Sequence, residues 1–195
     1  MEANRVADLS DGSVLYELGE HLITCKLSHD KRWQLGAFKR DESRLRDDTL
    51  VVLKNEKFIF MVKLGEKHSP KPQCIAVNGR FLFSVHTGKD NNVAAVIAMD
   101  NAGKELFKIE TSTHLISSAI SEFGCYIALS FAGSKNKDDF YANRLEVINI
   151  DTGEVLMSVI KTDFLRYAEL SVVEPDGGLF ATYNGLTRLV DVTNL

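Results

Sequence analysis

The sequence predicts an all-β chain made of about four repeats of one four-stranded antiparallel meander. Three observations predict it. Val, Ile, Phe, Tyr and Thr gather in short runs separated by Gly, Asn and Asp, the pattern of strands joined by tight turns. One hairpin type recurs at spacings of about 44, 47 and 50 residues. A second turn type keeps phase with the first. No long segment has a helical apolar period.

The first hairpin runs from 5–9 through Asp11-Gly12 into 14–18. It returns at 50–53, Asn55-Glu56-Lys57 and 58–64, then at 93–99, Asn101-Ala102-Gly103-Lys104 and 106–109. A fourth copy spans 145–150, Asp151-Thr152-Gly153-Glu154 and 155–160. Gly, Asn and Asp at such tips supply the positive φ of tight hairpins. The second turn is His29-Asp30-Lys31, Asn78-Gly79, Glu122-Phe123-Gly124 and Pro175-Asp176-Gly177-Gly178. Each joins a short apolar strand to one at 33–38, 81–85, 126–131 or 179–183. The repeating unit therefore has four strands, a, b, c and d. The second turn lies between a and b and the hairpin between c and d. Pro70, Pro72 and Pro175 are expected at junctions between strands.

A third marker falls just before strand a. Gly19-Glu20-His21, Gly65-Glu66-Lys67-His68 and Ser112-Thr113-His114 close successive units, with the histidines 47 and 46 residues apart. In spacing and slot this resembles the WD-repeat and related β-propeller families, whose Gly-His pair joins the outer strand of one blade to the inner strand of the next. Gly and His are never adjacent here, and no Trp-Asp dipeptide occurs. The fold expected is an all-β, β-propeller-like array of about four four-stranded antiparallel blades, either a closed small ring or an open partial propeller.

Stacking such units buries faces that one small sheet could not bury alone. The chain reads as a single propeller-like domain, 1–195, with a partial blade at 1–20, blades at 21–66, 67–112 and 113–162, and a partial blade at 163–195. The first partial blade supplies strands c and d, and the last supplies a, b and c. Three arrangements accommodate both ends: a closed four-bladed ring with an extra edge strand, an open arc that pairs with a second copy, or part of a longer propeller.

Composition limits the function classes. Hydrophobic residues make up 45% and charged residues 26%, enough apolar material for a core. A net charge of −4 gives no general field for nucleic acid, so no nucleic-acid partner is expected. No window supplies the ~20 apolar residues of a membrane helix, and no membrane partner is expected. The first residues lack a basic stretch followed by an apolar one, so no signal peptide is read. Cys25, Cys74 and Cys125 form no CxxC pair and are expected as buried, reduced thiols. No Asn-x-Ser/Thr sequon occurs. A cytoplasmic location is the expectation.

The resemblance implies that b–c and d–a loops share one face and the a–b and c–d turns the other. The b–c loops are long, at 39–49, 86–92 and 133–143, and long loops on a rigid scaffold are where binding concentrates. The first carries Lys39, Arg40, Arg44 and Arg46 among Asp41, Glu42, Asp47 and Asp48. The second carries Lys89 and Asp90. The third carries Lys135, Lys137, Asp138 and Asp139, followed by Phe140 and Tyr141. Mixed charge with aromatics suits a protein or peptide partner.

Partner-binding residues are therefore expected among Lys39, Arg40, Arg44, Arg46, Lys89, Lys137, Asp138, Phe140 and Tyr141. His21, His68 and His114 are read as structural, their imidazoles hydrogen-bonded between blades with Asp90 and Asp138 as acceptors, because repeat-equivalent residues lie a blade apart, too far for one metal. Trp33 is read as core. No GxSxG, HExxH, phosphate loop or EF-hand spacing occurs. The expectation is a non-catalytic scaffold without cofactor. The alternatives are an enzyme or small-ligand binder using the axial cavity, and a half-propeller that completes its ring as a homodimer.

Overall fold

A computed structural model describes residues 1–38, 48–65, 68–87, 92–134, 136, 138–161 and 165–190, excepting the side chains of Asn92 and Arg166. Each predicted hairpin tip is a tight turn. Between the fifth and sixth strands, Asn55 and Glu56 take φ of 49° and 65°, the left-handed pair that a two-residue hairpin requires. The strands on either side alternate buried and exposed positions or, in the middle of a sheet, are buried on both faces.

The first sheet has six strands in sequence order: β1 (Asn4–Asp8), β2 (Val14–Leu18), β3 (His21–Leu27), β4 (Trp33–Phe38), β5 (Thr49–Lys54) and β6 (Lys57–Lys63). The second joins β7 (His68–Ile75), β8 (Phe81–Thr87), β9 (Asn92–Met99) and β10 (Glu105–Glu110). The third joins β11 (Leu115–Ile120), β12 (Tyr126–Phe131), β13 (Arg144–Asn149) and β14 (Val155–Ile160). The fourth joins β15 (Glu169–Val172), β16 (Leu179–Tyr183) and β17 (Leu186–Leu189). Every neighbouring pair is antiparallel.

The sheets stack face to face. Leu35, Leu50 and Val52 of the first sheet meet Phe81, Phe83 and Val85 of the second. On the other face of the second sheet, Leu82, Val96 and Ala98 meet Ile127, Leu129 and Ile148 of the third. Ala128, Leu145 and Val147 of the third then meet Val172, Leu179 and Ala181 of the fourth. Period-two alternation thus sends neighbours on β12 into different cores. Each fully buried Leu, Ile or Phe contributes roughly 1.5–3 kcal/mol. The chain is an all-β array of propeller-type blades. Strands β3, β7, β11 and β15 come together around one cavity of about 320 Å³. They are the inner strands.

The N-terminal hairpin does not stand apart as a partial blade: β1 and β2 belong to the first sheet. β2 is hydrogen-bonded along β3, from Val14 opposite Cys25 to Leu18 opposite His21. The chain before β1 folds back onto the start of β6, where the Ala3 N–H donates to the Glu56 carbonyl at 2.7 Å and the Phe58 N–H to the Met1 carbonyl at 2.9 Å. The first sheet therefore curls on itself around Val14, Tyr16, Ile23, Cys25, Val51 and Leu53. The physical reason is long-range: Met1–Ala3 bridge to Glu56–Phe58 and tie β1 and β2 to the far end of the same sheet. Among the described residues no strand pairing links the first sheet to the fourth.

Three smaller readings are settled here. Pro70 and Pro72 lie inside β7 rather than at a junction, which is tolerated because β7 is the edge strand of its sheet and has a free side where no N–H is needed. Trp33 is core, 6% exposed, with the Lys54 ammonium 4.8 Å from its ring. It also explains Gly79, where a Cβ would lie 2.7 Å from the indole. All three cysteines are free thiols. Cys25 is buried, while Cys74 and Cys125 are only partly so.

Candidate binding face

The inner strands have two ends, and different chemistry occupies each. At the end of the a–b and c–d turns, blades are tied to one another. The Val77 N–H donates to the Glu122 carbonyl at 2.9 Å, and the Asn78 amide to the Phe123 carbonyl at 2.5 Å. Arg80 forms a two-pronged pair with Asp151, at 3.0 and 2.7 Å, and also donates to the Gly124 carbonyl. Glu174 accepts from the buried Ser121 hydroxyl at 2.6 Å and the Cys125 N–H at 3.1 Å, and the Tyr126 hydroxyl donates to the Pro175 carbonyl. Burial would push the Glu174 carboxyl up, but these donors outweigh it and hold it below its ordinary value.

The opposite end carries the b–c and d–a loops. Its best-defined feature surrounds the third b–c loop. Asp139 accepts from the Ser112 N–H at 2.9 Å, the Ser112 hydroxyl at 2.6 Å, the Thr111 hydroxyl at 3.3 Å and the Tyr141 N–H at 3.0 Å. It thereby pins its loop to the strand-a entry of the same blade. Burial alone would raise its carboxyl; the donors, Ser112 foremost, hold it below its ordinary value. Beyond Asp139 the chain turns so that Phe140 projects outward, 59% exposed. The Arg144 guanidinium lies 4.2 Å from its ring and donates to its carbonyl at 2.7 Å. Tyr141 packs edge-on against Phe140 at 5.2 Å and tilts onto Phe131 at 5.1 Å.

Behind this platform, Arg144 also donates to the Ser158 hydroxyl at 3.1 Å, and Ser158 to Glu146 at 2.8 Å. Glu146 is 2% exposed, and burial pushes its carboxyl above the ordinary value despite Ser158 and Arg144.

Of the residues expected to bind a partner, Phe140 and Asp138 are exposed on this end, while Tyr141 is partly buried beneath Phe140. Lys39, Arg40, Arg44, Arg46, Lys89 and Lys137, like Asp90, lie outside the described residues. His21, His68 and His114 occupy equivalent positions at the entry to β3, β7 and β11. Among the described residues their imidazoles make no hydrogen bonds. His21 instead packs edge-on against Phe38 at 5.2 Å. Between these two loops the tie is made instead by Ser112, two residues before His114, and by Asp139, the residue after Asp138. Arg144 was not singled out in sequence. Its only signal was its place on strand c, four residues after an exposed aromatic. Among the described residues no three His, Cys, Asp or Glu side chains are grouped to hold a metal ion.

Among the described residues, a cavity lies at each end of the inner strands. The one of about 320 Å³ opens toward the tight turns, lined by Lys26, Gln73, Ser118 and Ser171, one from each sheet, with His29 and Glu122 at its mouth. Asp11 accepts from Lys26 at 2.9 Å, and His29 faces Glu122 at 3.9 Å. The other, about 380 Å³, opens toward the loop end.

No protein family matches the chain, and no curated protein matches it. The chain is similar to several solved structures at low identity. The Cps50 (Swd1) β-propeller domain of Myceliophteria thermophila is 12% identical, with a TM-score of 0.49 over 83% of this chain and 48% of that one. The Pan2 WD40 domain of Neurospora crassa is 13% identical, with a TM-score of 0.47 over 86% of this chain and 45% of that one. Kuenenia stuttgartiensis hydrazine synthase is 15% identical, with a TM-score of 0.48 over 88% of this chain and 53% of that one. The chain thus spans about half the length of each.

Proposed function

We propose that this chain is a non-catalytic interaction module that binds a protein or peptide partner at its loop end. The observation that carries the reading is Phe140, a large aromatic held out of the core in one orientation. Arg144 and Tyr141 fix the ring, and Asp139 fixes the loop. An aromatic already immobilised loses little side-chain entropy on binding, which is what makes such residues effective anchors. The sequences at 39–49 and 86–92 supply basic and acidic residues of the kind that form a polar rim.

Phe123, 57% exposed at the tight-turn end, provides the control. Proteins captured by the wild-type chain are expected to be lost with Phe140→Ala and kept with Phe123→Ala. Capture unchanged by Phe140→Ala, or lost only with Phe123→Ala, would place the partner elsewhere.

Self-association is a second reading, favoured by the fourth sheet. β17 is an outer edge strand whose Leu186 and Leu189 are 59% and 60% exposed. Because β1 and β2 already cover the outer face of the first sheet, two copies would meet through their fourth sheets. Sedimentation of Leu189→Arg against wild type tests this: a wild-type dimer that becomes a 21.7 kDa monomer supports it, and a wild-type monomer ends it.

A further inference from the structure

The cavity among the inner strands at the tight-turn end plays no part in the partner platform. Three of the four strands around it, β7, β11 and β15, are edge strands of their sheets, while the edge of β3 is covered by β2. An edge turned toward the cavity brings consecutive residues to it, so 73–76 and 118–122 line it as whole runs rather than as alternate members. Such an edge also carries backbone N–H and C=O groups outside the ladder.

The charged groups of its described lining are already matched. The Lys26 ammonium donates to Asp11 at 2.9 Å, and Asp11 also accepts from the Ser13 hydroxyl and N–H. These donors, the Ser13 hydroxyl foremost, hold the Asp11 carboxyl below its ordinary value. At the mouth His29 faces Glu122 at 3.9 Å. The Ser121 hydroxyl is committed to Glu174. The remaining polar groups are neutral. The Gln73 amide donates to the Ser84 hydroxyl at 2.9 Å and accepts from the Ser118 hydroxyl at 3.4 Å, which holds its plane. The Ser171 hydroxyl, on the opposite wall, has no hydrogen bond among the described residues. A hydroxyl and an amide each both donate and accept. Leu27, Ile75, Ile120 and Leu170 supply apolar surface beside them. Two-way neutral groups next to apolar side chains, in about 320 Å³, match a small uncharged molecule with hydroxyls on a hydrocarbon frame. An ion would have to displace a pair already made.

We propose that this cavity is a site for a neutral polyhydroxylated molecule of monosaccharide size. Its hydroxyls bond to Gln73, Ser118 and Ser171, and its C–H groups lie against Leu27, Ile75 and Leu170. The site is separate from the Phe140 platform and does not rest on the proposed function.

Glucose, inositol and glycerol, each titrated into the full chain and followed by amide NMR, are the test. With at least one of them, saturable shifts of the Gln73 side-chain amide and of the Ser118 and Ser171 N–H groups are expected, at an affinity that added salt leaves unchanged. Ser171→Val should weaken that affinity by about tenfold. Ser171 is exposed on β15, so this variant should keep the wild-type thermal midpoint. Phe140→Ala should leave the affinity unchanged, which separates this site from the partner platform. Inorganic phosphate should shift none of these groups. Shifts that saturate with none of the three, an affinity that Ser171→Val leaves intact, or phosphate binding at the same groups that weakens with salt overturns the proposal.

Discussion

The two ends of the inner strands differ in how they use their polar groups. At the tight-turn end those groups bond across blades: Val77 to Glu122, Arg80 to Asp151, Ser121 and Cys125 to Glu174. At the loop end the principal polar tie, Asp139, works within one blade, and Phe140 is left facing outward. One end joins the repeats and the other presents side chains. A repeat array held together by nearest-neighbour contacts can leave one end free in this way because the stacked cores and the opposite turns already fix the blades.

Removing the two clamping carboxylates probes this difference with the largest effect. Glu174→Ala strips the acceptor from a buried hydroxyl and a backbone N–H, and Asp139→Ala strips it from the Thr111–Ser112 entry. Each should cost about 1–3 kcal/mol in urea unfolding, but only Asp139→Ala should also impair partner capture. Equal impairment by both would mean the ends are not separable. The same carboxylates predict an acid response. Their folded values are depressed, so their stabilisation is complete above about pH 5 and is lost as pH falls through the folded values. Glu174→Gln should flatten the wild-type decline in thermal midpoint below that pH; an unchanged decline would put its origin elsewhere.

Arg80→Ala is expected to be milder, about 1 kcal/mol, because Asp151 is half exposed and solvent screens the pair. A cost near zero would mean the blades are held by their apolar faces alone. Phe140→Ala should be the smallest, within about 0.5 kcal/mol of wild type by thermal unfolding. A larger loss would make Phe140 a structural residue and remove the case for the loop end as a binding face.

Much of this architecture is written locally. Turn residues and alternating apolar runs identify hairpins because the φ requirement at Asn55-Glu56 and the two-residue side-chain period act over only a few residues. The described part of the b–c loop at 133–143 is legible for the same reason. What a hairpin pairs with is less so: nothing within 5–18 distinguishes a partial blade from two further strands on β3, since that choice is made by Met1–Ala3 meeting Glu56–Phe58 far along the chain. Asp138 and Asp139 are indistinguishable by type, and only the loop geometry directs one to Ser112 and the other to solvent. The cavity at Gln73, Ser118 and Ser171 needs both the inner strand edges and the stacking of the blades, neither of which a motif encodes.

Amide hydrogen exchange across the whole chain tests the division of labour most directly. If the tight-turn end joins the blades, the N–H groups of Val77 and Cys125, which cross between blades, should be protected to the same degree as those of central strands β8 and β12 and exchange only on global unfolding. Exchange of Val77 and Cys125 as fast as the edge strand β17 would contradict the account.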